Sequence, residues 1–245
     1  MIKFENTEVF NFEGAFRGMR NPLNSWEKSD SIICNLDKDD LCHGIGCKYY
    51  GDEYGNFCMG ENDLKLAQNL IKAGSDHRKF MRQIVVSVDI IAPLYWWKEF
   101  DTYKVATVAN SCSTMHKIHS KPIEMSDFSF DVEPVEGLDT TRFFESTVKT
   151  CEDLRLAYLL YMERAEEVKN TEESAKLRRV ARAYWETLIK LLPESYNQMR
   201  TVTLNYETLR NMYFARKGHK LREWSVGFMN WIKSLPYADE LIKYQ

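Results

Sequence analysis

The chain has 245 residues, of which 44% are hydrophobic and 28% charged, with only 11 Gly and 6 Pro. This composition is that of an ordinary globular protein and excludes extended disorder. The formal net charge of −3 argues against nucleic-acid or membrane-surface binding driven by broad Lys and Arg patches. There is no signal-peptide pattern at the start and no apolar run of about 20 residues. We therefore expect a single domain over residues 1–245, cytoplasmic, with no membrane or nucleic-acid partner.

The first third of the chain combines strand signals with an irregular segment. Alternation from Ile2 to Phe12 predicts a short strand or two, before a turn at Arg20-Asn21-Pro22. Residues 30–62 predict a loop-rich insertion that carries most of the cysteines, which a reducing compartment keeps as thiols. Thiols and imidazole are the usual zinc ligands, but no Cys-x-x-Cys pair occurs here, so we predict no metal site. The residues concerned are Cys34, Cys42, His43, Cys47 and Cys58.

The middle of the chain is predicted as helix, strand and helix. An amphipathic helix is expected to be capped by Asn62 and to stop near Gly74. The β-branched run over 84–91 predicts a strand with one strongly apolar face. A second helix is expected to begin at Pro93, which suits a first helical turn, and to run to Lys104.

The second half of the chain is predicted to be helix-rich after a loop over residues 118–145. Apolar residues recur there at helical spacing, with charged residues between them. The predicted helices span 143–168, 177–192, 206–216 and 221–234. Strand signals in the first half and helices in the second predict an α/β protein (α+β).

Two blocks of the sequence contain short motifs whose residue order and spacing are informative. The first block contains Ala92-Pro93, Lys98-Glu99-Phe100, Thr102-Tyr103-Lys104, Asn110 and Ser113. The second contains Leu192-Pro193, Asn205, Leu209, Asn211, Arg216 and Leu221-Arg222. Both resemble motifs of the flavin-dependent thymidylate synthase (ThyX) family, which has Arg-Gln-Trp, Arg-His-Arg and Asn-Glu-x-Ser-x-Arg-Tyr in the first block. Asp76-His77-Arg78 stands where the family has a His-Glu-Thr-Pro-Phe loop.

The resemblance implies a fold and a reaction. The fold is a helical layer packed on a mixed central sheet, assembled as a homotetramer with FAD held between subunits. In this family the reduced flavin supplies a hydride, and methylenetetrahydrofolate supplies the one-carbon unit for C5 of dUMP, with NADPH as the reductant. The resemblance therefore predicts an FAD-dependent methyltransferase acting on a pyrimidine deoxynucleotide such as dUMP.

The resemblance also implies the site residues. Those with catalytic roles are Ser113 and Arg216. The residues implied to bind the cofactor are His77, Arg78, Lys104, Asn110, Asn205 and Asn211. The residues implied to contact the substrate are Ser113, Thr114, His116, Arg216 and Arg222.

Several motif positions depart from the family. Thr102 and Met115 replace two arginines that hold phosphate oxygens, and Lys104 lacks the planar fork of a third. Ser111 stands where the family has Glu. These losses favour an alternative function, a catalytically inactive ThyX-like protein that binds or sequesters a nucleotide. A purely structural subunit is a third possibility.

Each singled-out feature also has a purely structural explanation. Asn205 fits an ordinary helix N-cap, and Arg216 fits a cation that complements the last turn of a helix. Residues 110–114 fit a polar turn, and residues 77–79 fit a solvated loop. The aromatic pair Trp96-Trp97 is better explained as core than as a stacking platform for flavin or a base.

Overall fold

The computed structural model describes residues 2–33, 57–130 and 136–245. The chain divides into two compact units. The sheet unit comprises Ile2–Ile90, Asp101–Asn110 and Arg200–Gln245, and the hairpin unit comprises Ile91–Phe100 and Ser111–Met199. The single domain expected over 1–245 stays a prediction. Cys34, Cys42, His43 and Cys47, which were considered as zinc ligands, lie outside the described residues.

The predicted α/β class is confirmed. The strands are β1 (Lys3–Phe10), β2 (Ile32–Ile33), β3 (Phe57–Cys58), β4 (Val85–Pro93), β5 (Val108–Ser111) and β6 (Asn197–Asn205). The α-helices are α1 (Phe12–Arg20), α2 (Glu61–Lys72), α3 (Leu94–Phe100), α4 (Thr114–Lys117), α5 (Thr140–Glu167), α6 (Thr171–Leu191), α7 (Tyr206–Arg216) and α8 (Met229–Ser234). Two π-helical segments, Glu223–Phe228 and Ala238–Ile242, flank α8.

Four strands form the main sheet in the order β1-β4-β6-β5. It is antiparallel, whereas the ThyX resemblance implies a mixed sheet. Strand β4 follows the prediction, because Val86, Val88 and Ile90 are fully buried and alternate with partly exposed neighbours. Strand β6 was not predicted, since its only fully buried apolar residues are Val202 and Leu204 at its end.

Helix α1 replaces the end of the predicted first strand. Asn11 takes a left-handed φ of 68°, which stops β1 before residue 12. The apolar residues that follow are spaced for a helix rather than for a strand, and all are buried: Phe12, Ala15, Phe16 and Met19. The prediction that strand structure extends to Phe12 is therefore wrong.

The beginning of α2 also differs from the prediction. Asn62 lies inside the first turn and is not the cap. The carboxylate of Asp30 instead accepts hydrogen bonds from the backbone amides of Asn62 and Asp63, at 2.8 and 3.0 Å. This satisfies two of the unpaired amides at the helix start. The predicted end is confirmed, because Gly74 follows α2 with a φ of +108°.

An aromatic cluster forms part of the sheet-unit core. The Phe12 ring stacks on Phe57 with centroids 5.5 Å apart and meets Tyr206 edge-on at 5.6 Å. Tyr237 joins the cluster, and its hydroxyl accepts from the Met59 amide and donates to the Phe57 carbonyl. Buried aromatic pairs of this kind contribute beyond the area they remove from water.

The hairpin unit is built on α5 and α6, which pack against each other. Asp139 caps α5 and Asn170 caps α6, each accepting backbone amides of the first turn. The cap at Asp139 starts α5 at residue 140, so the loop expected over 118–145 is shorter than predicted.

Three aromatic residues of helix α3 lie in the core, as predicted. Trp96, Trp97 and Phe100 are each at most 1% exposed. Helix α3 ends at Phe100, so the prediction that it reaches Lys104 is wrong.

Candidate functional site

The predicted site residues of the sheet unit lie on and around α7. This helix has the predicted bounds, and Asn205 caps it: its side-chain oxygen accepts from the Thr208 amide at 2.9 Å. Asn205 is only 5% exposed. Its side-chain oxygen therefore serves the helix start, which is the structural explanation considered for this residue.

Residues 101–107, which we call the motif loop, carry the remnant of the Arg-His-Arg motif. Two side chains tether this loop within the sheet unit. Arg200 donates to the Asp101 carboxylate at 2.8 Å, and the Thr208 hydroxyl donates to the Val105 carbonyl at 3.3 Å. Ala106 has a φ of +55°, a conformation that a side chain disfavours. The motif loop is thus held in a specific shape over the first turn of α7.

Arg216, at the end of α7, is fixed by aromatic side chains. Its Nε donates to the Tyr103 hydroxyl of the motif loop at 2.7 Å. Its guanidinium carbon lies 5.4 Å from the Tyr103 ring centre and 5.2 Å from that of the buried Trp224. Cation–π contacts of this kind contribute about 0.5–1 kcal/mol at exposed sites and more when desolvated. A partly exposed guanidinium is therefore held in one place by the Tyr103 hydroxyl and two aromatic rings.

Arg78 is paired with a carboxylate. Its Nε donates to both oxygens of Glu207 in α7, at 2.8 and 3.1 Å, and the two side chains are 17% and 9% exposed. Arg210 lies beside this pair, and burial lowers its pKa, with the positive charge of Arg78 adding to the effect and Glu207 opposing it. Arg210 donates to the carbonyls of Ile242 and Tyr244 near the C-terminus.

The other predicted residues of the sheet unit are exposed. They are His77, Lys104, Asn110, Asn211 and Arg222. His77 adjoins Arg78, Lys104 belongs to the motif loop, and Asn110 lies on β5. Their side chains carry ammonium, guanidinium, imidazole and amide groups, each of which can donate to phosphate oxygens.

In the hairpin unit, the predicted residues form one helical turn. The Ser113 hydroxyl caps α4 by accepting from the His116 amide at 3.2 Å. The Gln198 side-chain amide donates to the Cys112 carbonyl and to the Thr114 hydroxyl, both at 3.0 Å. Ser113, Thr114 and His116 are therefore brought together, with His116 exposed.

A cavity of about 380 Å³ opens beside this turn, entirely within the hairpin unit. Its lining includes His116, His119, Tyr158, Arg178, Arg182 and Trp185. Only His116 was predicted as a site residue. The three lining residues from α6, Arg178, Arg182 and Trp185, lie at i, i+4 and i+7 and so share one helix face. This spacing is visible in the sequence, but it does not distinguish a ligand site from a solvated helix face.

An ion pair fixes one wall of this cavity. Arg155 makes two hydrogen bonds with Glu152, at 2.7 and 2.6 Å, and donates to the His119 carbonyl at 3.2 Å. Glu152 also accepts from the Ile123 amide at 2.8 Å. The hydrogen bond from Arg155 is the main reason that the pKa of Glu152 lies below its ordinary value. The segment around His119 is thereby tied to α5.

Two further properties bear on function. Within the described ranges, no group of three or more His, Cys, Asp or Glu residues is placed to hold a metal ion. None of the described helices combines the length and the apolar character that crossing a membrane requires.

Comparisons with known proteins identify the fold. The sequence matches no family model and no curated protein. The structure is similar to the flavin-dependent thymidylate synthase ThyX from Helicobacter pylori complexed with FAD and dUMP. The TM-score is 0.59 at 15% sequence identity, over 100% of this chain and 97% of that one. A second structure of the Helicobacter pylori enzyme with FAD and dUMP gives 0.57 at 14% identity, over 98% and 95%. The chain therefore has a divergent ThyX-like fold.

Proposed function

We propose that this protein is an FAD-dependent, thymidylate synthase-like methyltransferase that acts on a pyrimidine deoxynucleotide such as dUMP. The observation that carries the proposal is the likeness of the whole chain to ThyX structures that contain FAD and dUMP. The ordered motif remnants of the sequence agree with it. The cosubstrates would be NADPH and methylenetetrahydrofolate. We further propose a cytoplasmic homotetramer. Light scattering should then give a molecular mass four times that of the 28.9 kDa chain.

Arg216 is the residue of the sheet unit that we assign to the nucleotide. The Tyr103 hydroxyl and the Trp224 ring hold its guanidinium in place before any ligand arrives. Preorganisation of this kind reduces the entropy lost on binding, and a guanidinium is well suited to nucleotide oxygens. Arg222, exposed six residues further along, adds a second cation of the same unit.

Ser113 is the residue of the hairpin unit that we assign to the nucleotide. Its oxygen accepts from the His116 amide, which leaves the hydroxyl hydrogen to donate to a base or phosphate oxygen. Thr114 and His116 are proposed as neighbouring contacts on the same turn.

The donor set of the sheet unit fits FAD in its chemistry. Lys104 and His77 offer exposed donors for a diphosphate, while Asn110 and Asn211 offer amides for a base or ring edge. When bound, the reduced flavin would supply the hydride that completes the transferred methyl group. Arg78 and Asn205 are proposed to position neighbouring residues rather than to contact FAD directly, since Glu207 and the start of α7 already occupy their polar groups.

The alternative is a nucleotide-binding protein without turnover. Thr102 and Met115 stand at two arginine positions of the family motif, and Glu207 compensates the charge of Arg78. Fewer uncompensated cations would weaken the hold on a cofactor diphosphate more than the hold on a mononucleotide.

Two measurements test the proposal. The first is thymidylate formation from dUMP, methylenetetrahydrofolate and NADPH by the FAD-loaded protein. The second is the increase in melting temperature on adding dUMP. Arg216→Ala should make this increase at least several-fold smaller. Arg17→Ala is the matched control, because Arg17 is exposed and forms an ion pair with the equally exposed Glu13 at 3.8 Å. A dUMP shift without product would favour the alternative, and no shift together with no product would refute both.

A further inference from the structure

The helices α5 and α6 have a second side, which the cavity does not use. Arg178, Arg182 and Trp185 of α6 line that cavity. Other residues of α6 point to the opposite side of the helix and, with α5, line a separate groove of about 490 Å³. The groove is lined by Leu154, Arg179, Val180, Ala183, Tyr184 and Thr187.

We propose that this side of the two helices, which we call the groove face, docks against the groove face of a second copy of the chain. The two helices of each copy would then form a four-helix bundle. The inference goes beyond the proposed function, because it names the surface through which two copies meet and requires neither flavin nor nucleotide.

The groove face combines exposed apolar residues with small ones. Leu160 of α5 is 44% exposed and Val180 of α6 is 39% exposed. The Tyr184 ring, which lines the groove, stacks on Tyr161 of α5 with centroids 5.5 Å apart. Helices that carry short side chains at their contact approach each other closely, so Ala183 suits a helix packed against the groove.

The size of the groove face is sufficient for a specific contact. Helix α6 has 21 residues, which corresponds to a length of about 30 Å. Two helices side by side are about 20 Å wide, so each copy offers about 600 Å². Docking would bury about 1,200 Å² in total, the lower end of the range for stable protein interfaces.

Contacts within one copy set the register of the bundle. The Ser174 hydroxyl of α6 donates to the Ala165 carbonyl of α5 at 2.6 Å, and Tyr184 stacks on Tyr161. With a twofold axis parallel to the helices, α5 lies antiparallel to the α6 of the second copy at this same register. Leu160 then meets Val180 of the second copy.

Charged residues match in this register. Each level that brings α5 of one copy to α6 of the other places opposite charges near each other, and all of these residues are exposed. The pairs are Asp153 with Lys190, Glu163 with Arg179, and Arg164 with Glu173. In the described part of the chain, none of these pairs forms within one copy. Opposite charges across an interface select the partner, and this self-complementarity favours a second copy over an unrelated helix.

The first test is light scattering of the 245-residue protein without added flavin. The wild type should have a mass that is an even multiple of 28.9 kDa, and Ala183→Glu should halve it. Ala183 is exposed, so the variant should keep its fold, which circular dichroism checks. The matched control is Ala175→Glu, because Ala175 is exposed on the same helix but does not line the groove. Its mass should equal that of the wild type.

The second test reverses one charge pair. Glu163→Arg and Arg179→Glu should each weaken self-association at least tenfold, because each places like charges opposite each other. The double variant should recover most of the lost affinity, since it restores an opposite pair between copies. These side chains are exposed, so this test also decides the matter if Ala183→Glu fails to fold.

The outcomes separate this inference from the proposed function. A wild type that stays monomeric at about 100 μM, well above the dissociation constants of weak interfaces, would overturn the inference. Ala183→Glu with the wild-type mass would show that copies meet through other surfaces. A double variant that associates no more tightly than the single variants would overturn the assigned register. FAD retention and dUMP binding, which test the proposed function, do not enter these measurements.

Discussion

Replacing Asp63 with Asn should strongly destabilise the protein. Asp63 is fully buried in α2, and its carboxylate accepts from Arg20 Nε at 2.6 Å and from the Ser29 hydroxyl at 2.7 Å. It also accepts from both the hydroxyl and the amide of Ser31. Asparagine keeps the shape but removes the charge, so Arg20, 3% exposed, would remain buried beside a neutral amide.

The expected loss is about 3–5 kcal/mol, as for other buried ion pairs from which one partner is removed. A typical native protein is stable by about 5–15 kcal/mol, so this change would remove a large fraction of the total. The control is Glu13→Gln, which breaks the exposed contact with Arg17 and should cost less than about 1 kcal/mol.

The pH dependence gives an independent check on Asp63. Burial alone raises the pKa of this carboxyl, but hydrogen bonds from Ser31, Ser29 and Arg20 outweigh that effect and hold the pKa below its ordinary value. Because the folded-state pKa is lower than the unfolded value of about 4, the stabilisation is present above pH 4 and is lost as pH falls through the folded-state pKa. The difference in free energy of unfolding between wild type and Asp63→Asn should therefore become smaller as the pH falls below 4.

Urea unfolding followed by circular dichroism measures both effects. At pH 7 the extrapolated free energy of unfolding should fall by about 3–5 kcal/mol in Asp63→Asn. A loss of less than 1 kcal/mol at pH 7, or a gap that stays constant down to pH 3, would refute the account of this buried cluster.

Two further predictions concern α7. Asn205→Ala should lower the free energy of unfolding, measured with urea, by about 1 kcal/mol, because it removes the acceptor for the Thr208 amide. Asn205→Asp should keep most of that stability. An alanine variant as stable as the wild type would contradict the capping role of Asn205. Arg210→Met should leave the carbonyls of Ile242 and Tyr244 unpaired and speed amide hydrogen exchange over residues 238–245 at least tenfold. Unchanged exchange there would show that Arg210 does not hold this end of the chain.

Local signals in the sequence were sufficient to predict several elements. The bounds of α7 were predicted correctly because a cap residue, Asn205, and a stop signal, Gly218, flank an apolar-periodic run. The β-branched composition of β4 identified it as a strand. Trp96 and Trp97 were correctly assigned to the core.

Other elements depend on interactions that local patterns do not reveal. Strand β6 is largely polar, and its pairing with β4 and β5 makes it a strand. Helix α2 is capped by Asp30, which lies outside the window that a helix signal covers. Left-handed backbone at Asn11 ended β1 early, and Asn is one of the few residues that tolerate it.

The candidate site could be predicted only in part. Motif positions led to the prediction of Arg216 and Ser113 as nucleotide contacts, and that prediction stays untested. They did not reveal that Tyr103 and Trp224 hold Arg216 or that Glu207 pairs with Arg78. The cavity of the hairpin unit draws its lining from three separate segments of the sequence, within residues 115–119, 158–162 and 178–185. Only folding brings such residues together, so no spacing rule within one segment reveals them.

The central claim, a flavin-dependent protein on a ThyX-like fold, is tested most directly by the visible absorbance spectrum of the 245-residue protein. The protein is incubated with FAD and separated from free cofactor before the spectrum is recorded. The account predicts retained oxidised-flavin bands that bleach when NADPH is added with dUMP present. A colourless protein after incubation with excess FAD would contradict it.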